Sequence, residues 1–249
     1  MSRVEQSAQE LWICHLGTVP YREASATQEA LRERRLADDL PDMLLLLEHP
    51  PVYTRGRRSR PGELTLGEDF YRAKGVEVVD TRRGGRVTYH GPGQLVGYAI
   101  MEVRDVGEHL RRMEAAIVKT LAEFGVSARS RCEEGADYTG VWVEGRKVAS
   151  IGVHVSRGVS THGFAINVDN DLEPFSWVVA CGLPDVAMTS VEAELEEADM
   201  TIDSEVLRAR VRARAGAHFC EAHNRRPRIV SPEELGIAVE SREREAAPA

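Results

Sequence analysis

The feature that most constrains the fold is a run of three consecutive strand patterns joined by tight turns. Thr139–Glu144 and Lys147–Ser156 flank Gly145-Arg146, and Val159–Val168 follows a second turn at Arg157-Gly158. Turns this short join antiparallel strands, because parallel neighbours need a long crossover connection. The middle of the chain is therefore expected to form an antiparallel sheet.

Helical and strand patterns surround this region on both sides. Helices are predicted over Tyr21–Leu40, Phe70–Lys74, Val106–Phe124 and Ile202–His223, and further strands over Leu11–Leu16, Met43–Glu48, Val76–Asp80, Leu95–Met101 and Met188–Glu192. The patterns are mixed rather than strictly alternating. They predict an α+β fold with a mixed, mostly antiparallel sheet flanked by helices, rather than a doubly wound parallel sheet.

The composition is even along most of the 249 residues, which predicts a single domain over residues 1–230 with a loose start over residues 1–10. Residues 231–249 contain five Glu and two Arg and end in Ala-Ala-Pro-Ala. They are predicted to form an acidic, flexible tail.

The chain has 32 basic and 40 acidic residues and a net charge of −8, which argues against a general nucleic-acid binder. The longest apolar run, Met43–Leu47, is far too short to span a membrane, and no secretory signal precedes it. Four dispersed cysteines suit a reducing compartment. We therefore expect a cytoplasmic monomer without a nucleic-acid or membrane partner.

The densest unusual segment is Arg82–Gln94, in which four glycines and a proline alternate with Arg, Thr, Tyr and His. Glycine permits positive φ and a close approach of the backbone to a ligand. The same composition also suits two tight turns around a short strand. The residues alone leave both interpretations open.

The cysteines form no C-x-x-C pair, so the usual zinc and redox motifs are absent. Cys14 lies in an apolar strand pattern and Cys220 in the last helix, which is typical of core residues. Cys132 lies in a predicted loop. Cys181 precedes Gly182 in irregular backbone, where a thiol can either meet a ligand or be buried as a structural residue.

Lys147 is the candidate partner of a reactive cysteine because it begins an otherwise apolar strand. A nearby ammonium favours the thiolate, and after losing its proton the same lysine can act as a base. A strand-end lysine that reaches solvent is the ordinary alternative. His90, His154 and His162 are rival partners, since Cys–His pairs are more usual, and their spacing predicts no metal site.

Five blocks occur in one order along the chain: Glu48–Thr54, Arg83–Gln94, Gly145–Gly152, His162–Asn167 and Ala180–Leu183. Together they resemble the lipoyl(octanoyl) transferase family, and the resemblance extends from Leu11 to His223. The fold of that family is similar to the catalytic domain of biotin and lipoate protein ligases. This implied fold agrees with the α+β pattern.

The resemblance implies transfer of an octanoyl or lipoyl group from acyl carrier protein to a lysine of lipoyl domains, as the first step of endogenous lipoate synthesis. The acceptors would be 2-oxoacid dehydrogenase subunits and the glycine cleavage H protein. The resemblance also implies that Cys181 carries the acyl thioester, that Lys147 is its partner, and that His90 is a candidate helper. It assigns substrate binding to three segments, whose residues are Arg83, Gly84, Gly85, Arg86, Val87, Thr88, Tyr89, His90, Ser150, Ile151, Gly152, Gly163, Phe164 and Ala165.

No ATP, metal or other cofactor is expected, because exchanging one thioester for another is nearly balanced and forming an amide is downhill. An ATP-dependent lipoate ligase of the same fold would need no nucleophilic cysteine, so Cys181 argues against it. The pairing of Cys181 with Lys147 argues against a non-catalytic binder. A thioesterase would form the same acyl-enzyme and use water as the acceptor.

Charge creates a further expectation, because carrier proteins and lipoyl domains are typically acidic and this chain is acidic too. Arginines cluster in the loop Arg55–Gly62 and again in the first half of the glycine-rich segment, at Arg82, Arg83 and Arg86. We therefore expect a basic rim on an acidic protein, with Arg57 and Arg58 at its centre.

Overall fold

The computed structural model describes residues 9–179 and 186–238 and contains eleven strands and five α-helices in these ranges. The strands are β1 (Glu10–Thr18), β2 (Met43–Glu48), β3 (Val52–Arg55), β4 (Glu77–Asp80), β5 (Thr88–His90), β6 (Gln94–Ile100), β7 (Arg129–Ser130), β8 (Gly140–Val143), β9 (Arg146–Ser156), β10 (Val159–Asn167) and β11 (Arg226–Val230). The helices are α1 (Tyr21–Leu36), α2 (Glu68–Ala73), α3 (Val106–Ala122), α4 (Val191–Glu197) and α5 (Ser204–Ala222).

Eight of these strands form one sheet in the order β11-β1-β2-β6-β10-β9-β8-β7. Its neighbouring pairs are antiparallel except for β11–β1 and β1–β2, which are parallel. A smaller sheet contains β4, β3 and β5. The predicted α+β fold with a mixed, mostly antiparallel sheet is confirmed.

The centre of the large sheet is buried on both faces, as β2 shows. All five residues of Met43–Leu47 are almost fully buried. Because strand side chains alternate between faces, Leu44 and Leu46 join the core cluster that contains α3 and α5 residues. Leu45 joins the opposite cluster, which contains residues of α1. A continuous apolar run therefore suits a strand covered by helices on both sides.

The predicted strand over Met188–Glu192 is wrong. Met188 makes only an isolated bridge to Lys147. The hydroxyl of Ser190 then accepts a hydrogen bond from the Ala193 backbone N–H at 3.1 Å and so caps α4. The extended segment therefore ends at Ser190, two residues after the bridge at Met188, because Ser190 begins a helix.

The structure describes part of each end of the chain. At the start, β1 already begins at Glu10, and residues 1–8 lie outside the described residues. At the end, β11 pairs with β1, and Leu235 of the predicted tail is buried. The Leu235 carbonyl accepts a hydrogen bond from Arg34 at 2.5 Å, which holds this part of the tail against α1.

None of the described helices combines the length and apolar character needed to cross a membrane.

Candidate active site

A cavity of about 390 Å³ lies between the segment that leads into β5 and the strands β9 and β10. This volume falls in the range of small-molecule sites. Its walls include Lys147 and thirteen of the fourteen predicted binding residues, namely Arg83, Gly84, Gly85, Arg86, Val87, Thr88, His90, Ser150, Ile151, Gly152, Gly163, Phe164 and Ala165. The chain thus brings three distant segments to one cavity.

Tyr89 is the predicted binding residue that does not line the cavity. Strand side chains alternate, so Thr88 and His90 face the cavity while Tyr89 faces the other side of β5. Its ring lies 5.5 Å from the rings of Tyr53 and Phe175. Tyr89 therefore supports the strand from behind.

The glycine-rich segment is held from two sides by backbone hydrogen bonds. The Arg57 N–H donates to the Arg83 carbonyl at 3.0 Å, and the Gly84 N–H donates to the Val153 carbonyl of β9 at 2.9 Å. A Cβ atom at Gly152 would lie 2.8 Å from the Gly84 oxygen. The segment consequently both turns and forms a wall of the cavity, and it needs a glycine on β9 to come this close.

Arg83 ties this segment to β3. It is buried, and its Nε donates to the Thr54 hydroxyl at 3.1 Å. A terminal guanidinium nitrogen donates to the same hydroxyl at 2.7 Å and also to the Thr54 carbonyl. Another terminal nitrogen donates to the Gly84 carbonyl at 3.0 Å. Arg83 therefore acts as a brace as well as a wall of the cavity.

His90 has a defined orientation because its neighbours fix the hydrogen bonds. Gln94 Nε2 donates to Asn167 Oδ1 at 2.9 Å, so Gln94 Oε1 is left to accept from His90 Nδ1 at 2.7 Å. His90 Nε2 is then the unprotonated nitrogen and lies 3.4 Å from the Thr54 hydroxyl. The His90 imidazole is thus oriented with Nε2, a hydrogen-bond acceptor, toward Thr54.

The histidines in this region are neutral near pH 7. Burial, aided by the neighbouring His49 and Arg83, lowers the pKa of His90 well below its usual value. Burial likewise lowers the pKa of His49 to about 4 and that of His162 to about 3. The candidate bases of this wall are weak, and they add no positive charge to the cavity at neutral pH.

Lys147 reaches the cavity because of a β-bulge. In the pairing of β8 with β9, Trp142 lies opposite Lys147, but the preceding Val141 lies opposite Ala149. The extra residue, Val148, reverses the alternation of side chains. Lys147 therefore lines the same cavity as Ser150, whereas strict alternation would have turned it to the core.

The side chain of Lys147 is almost fully buried, with 2% of its surface exposed. Its Nζ atom lies 5.2 Å from the centre of the Trp142 ring. The alternative of a strand-end lysine that reaches solvent is excluded by this burial.

Cys181 lies in residues 180–185, outside the described residues. The chain on both sides of that segment is held by hydrogen bonds. Before it, the Val179 N–H donates to the Glu63 carbonyl at 2.9 Å. After it, the Lys147 N–H donates to the Ala187 carbonyl at 2.8 Å, and the Thr189 N–H donates to the Lys147 carbonyl at 3.1 Å.

The other three cysteines differ in accessibility. Cys14 and Cys220 are buried in the two core clusters, as predicted. Burial raises the pKa of Cys14 to about 12 and that of Cys220 to about 11, so both thiols are protonated at neutral pH. Cys132 is exposed.

Residues that the sequence did not single out complete the site. Thr54, Gln94 and Asn167 connect Arg83 and His90 through hydrogen bonds. All three lie inside blocks that carry the family resemblance, which was the available signal. Within residues 9–179 and 186–238, no group of three or more His, Cys, Asp or Glu side chains is placed to hold a metal ion.

Comparison with known proteins agrees with this arrangement. Residues 20–212 match the family described as the lipoyl protein ligase A/B catalytic domain. The octanoyltransferase of Rubrobacter xylanophilus is 46% identical over 183 residues, which cover 72% of this chain and 81% of that protein. The octanoyltransferase of Mycobacterium avium is 48% identical over 189 residues, covering 72% and 76%.

Solved structures share the fold at low identity. A lipoate-protein ligase A bound with ATP has a TM-score of 0.68 at 17% identity and covers 92% of each chain. Protein Ta0514 of T. acidophilum with bound lipoic acid has a TM-score of 0.67 at 17% identity, covering 91% of this chain and 93% of that one. The family match and the octanoyltransferase relatives together show that this chain belongs to the octanoyltransferases, acyltransferases with the lipoyl protein ligase A/B catalytic domain.

Proposed function

We propose that the protein transfers an octanoyl group from acyl carrier protein to a lysine of lipoyl domains, through a thioester on Cys181. The acceptors are the lipoyl domains of 2-oxoacid dehydrogenase complexes and the glycine cleavage H protein, and the protein acts as a cytoplasmic monomer. The observation that carries the proposal is the convergence of Lys147 and thirteen binding residues on one cavity. The octanoyltransferase relatives supply the reaction class.

The first step exchanges thioesters. The Cys181 thiolate attacks the carbonyl carbon of the donor thioester, the bond from that carbon to the carrier sulfur breaks, and the octanoyl group remains on Cys181. The carrier sulfur takes a proton from the Lys147 ammonium. One thioester bond replaces another, so ATP is not needed.

The second step forms the amide. An acceptor lysine, whose ordinary pKa is about 10.4, first loses one proton to solvent. Its amine attacks the Cys181 thioester, the carbon–sulfur bond breaks, and the second proton passes to the neutral Lys147 amine. The ammonium–thiolate pair is thereby restored. Lys147 suits this role better than His90, because burial makes His90 a weak base.

The cavity suits an eight-carbon chain. Gly152 of β9 pairs with Gly163 of β10, and Ser150 pairs with Ala165, so small residues form its floor. The floor continues to Val153, three residues beyond Ser150 and about 10 Å along the strand. An extended octanoyl chain has roughly this length, with carbon–carbon bonds of about 1.5 Å. Each buried CH₂ contributes about 0.8 kcal/mol, which would anchor the chain firmly.

The direct test incubates the protein with octanoyl carrier protein and an apo lipoyl domain, without ATP. We expect one octanoyl amide on the acceptor lysine for each carrier thiol released, and no effect of added ATP. A requirement for ATP with free octanoate would identify a ligase instead. Release of free octanoate without amide would identify a thioesterase.

Lys147 is tested in the same assay. Lys147→Ala should slow both steps by about 10²- to 10⁴-fold, the usual contribution of a positioned acid or base. Lys119→Ala is the matched control, since Lys119 is exposed and pairs with Glu221 away from the cavity. Equal rates for the two variants would remove Lys147 from the mechanism.

A further inference from the structure

We propose that Trp142 is a positioning residue, whose indole face sets the place of the Lys147 ammonium in the active site. The inference rests on the proposed role of Lys147 and concerns a residue outside the five sequence blocks of the family.

The contact joins two buried groups. Trp142 is 1% exposed and Lys147 is 2% exposed, and Nζ lies 5.2 Å from the ring centre. A cation within about 6 Å of an aromatic ring is attracted to its face, most strongly for tryptophan and more strongly when water is excluded. Water cannot hydrate this ammonium freely, so the ring compensates for part of the lost hydration.

The ring itself is fixed in place. Its Nε1–H donates to the Tyr138 carbonyl at 2.9 Å, and the Tyr138 ring lies 5.8 Å away. The Arg131 guanidinium carbon lies 4.6 Å from the Trp142 ring and 4.5 Å from the Tyr138 ring. Glu134 binds Arg131 in turn. The indole is therefore a rigid surface for the lysine.

Gly140 leaves room for the aliphatic part of the lysine side chain. At Gly140, a Cβ atom would lie 2.7 Å from Lys147 Cε and 3.3 Å from Nζ. Gly140 lies opposite Ser150 in the sheet. The side chain thus runs past Trp142 toward Ser150, which lines the cavity, and the missing side chain at Gly140 makes room for it.

The ring face and the apolar volume of Trp142 can be separated by substitution. Trp142→Phe keeps an aromatic face, whereas Trp142→Met keeps much of the apolar volume and loses the face. A structural role alone would make the two variants similar. A positioning role makes Trp142→Phe the variant that restores activity.

The test measures kcat and KM for octanoyl transfer in both variants, alone and combined with Lys147→Ala. We expect Trp142→Met to lower kcat by about 5- to 30-fold, the range of a desolvated cation–π contact, with KM for the donor within about twofold. Trp142→Phe should stay within about threefold of the original protein. In the Lys147→Ala background, Trp142→Met should have no further effect.

A second measurement does not depend on activity. The protein is prepared with lysine carrying ¹³C at Cε. The signal of the Lys147 Cε protons, assigned by its absence in Lys147→Arg, should be shifted upfield by the ring current of Trp142. In Trp142→Met this upfield shift should disappear. A normal shift in the original protein would overturn the proposal. So would equal loss of kcat in both ring variants, or an undiminished effect of Trp142→Met in Lys147→Ala. If Lys147→Ala alone leaves the transfer rate unchanged, Lys147 is not the base of the proposed function, and the role of Trp142 is refuted as well. If Lys147→Ala slows transfer but the Trp142 variants do not differ as expected, only the role of Trp142 is refuted.

Discussion

At the scale of single residues, the site depends on missing side chains as much as on present ones. Gly163 lies so close to the Gly97 carbonyl that a Cβ atom would collide with it. A Cβ atom at Gly152 would likewise lie only 2.8 Å from the Gly84 oxygen. These contacts let β6, β9, β10 and the glycine-rich segment come together around a narrow space.

Gly152→Ala tests this packing. Because the collision involves backbone on both sides, the segment at Gly84 must move, and we expect the free energy of unfolding to fall by about 1–3 kcal/mol. Octanoyl transfer should slow as well. Chemical denaturation and the transfer assay measure both effects.

Gly107→Ala is the control, since its Cβ would approach only the side chains of Arg111 and Asp105. Its position in α3 favours alanine over glycine. Equal destabilisation by the two substitutions would show that the close approach at Gly152 is unimportant.

At the scale of elements, the predictability of each segment follows from what stabilises it. The helix α3 was predictable because its apolar residues recur with helical spacing and Asp105 caps its start at 2.9 Å. The strand β3 was not predicted, and β5 was foreseen only as the short strand in one of the two interpretations of Arg82–Gln94, because both strands are three or four residues long and carry polar side chains such as Thr54 and His90. Their stability comes from pairing with each other, which periodicity does not reveal.

The candidate site was predictable only in part. The family resemblance located Arg83, Gly152 and Lys147 along the sequence. The bulge at Val148 that turns Lys147 to the cavity depends on the register of two strands, as does the hydrogen-bond chain through Asn167. Register is a property of the folded sheet, so neither feature was visible beforehand.

Asn167→Asp tests the connection between β10 and the segment that follows Cys181. Asn167 Nδ2 donates to the Thr189 carbonyl at 3.0 Å, and a carboxylate would face that oxygen without a donor. We expect unfolding free energy to fall by about 1–3 kcal/mol and transfer to slow, because Thr189 is bonded to Lys147. Denaturation and rate measurements should also be made on Asn224→Asp, an exposed control that follows the end of α5 in a left-handed conformation. It should cost at most about 1 kcal/mol of stability and leave transfer unchanged. Equal transfer rates in the two variants would contradict the role of Asn167.

At the scale of the whole molecule, the predicted basic rim is narrower than the sequence suggested. Arg58 pairs with Asp137 at 3.0 Å, and Arg86 pairs with Glu63 at 2.8 Å. Buried Arg83 braces Thr54. Arg57 and Arg82 directly precede the cavity-lining Arg58 and Arg83 in the chain; like Arg60, both are exposed and form no ion pair with any described residue.

Reversing these two charges, with Arg57→Glu and Arg82→Glu together, should raise KM for carrier protein by about tenfold at low salt and by less at high salt, because salt screens exposed charges. The value of kcat should change little. Arg72→Glu with Arg104→Glu makes the same charge change at exposed positions already paired with acidic residues. If both double variants raise KM equally, net charge rather than this rim governs the encounter.

Buried histidines give the whole molecule a predictable pH dependence. Burial lowers the pKa of His49 and His223 to about 4 and that of His109 and His162 to about 3. In the unfolded chain these histidines take up protons near pH 6.5, whereas in the folded chain they take up protons only near pH 3 to 4. Stability is therefore complete above pH 6.5 and falls as pH drops below it, by about 1.4 kcal/mol per pH unit for each histidine.

Urea unfolding at pH 7.5, 6.5 and 5.5 measures this fall. The slope of the unfolding free energy against pH should be smaller in His223→Gln, by the equivalent of about one proton. Constant stability from pH 7.5 to 5.5 would contradict neutral burial of these side chains.

In the proposed reaction, octanoyl passes through Cys181. The most direct measurement is the intact mass of the protein after mixing with octanoyl carrier protein alone, followed by mapping of the modified peptide. We predict a single octanoyl adduct on Cys181, formed without ATP, absent in Cys181→Ser and unaffected in Cys132→Ser, which removes the exposed thiol. No adduct, or an adduct that persists in Cys181→Ser, would contradict transfer through Cys181.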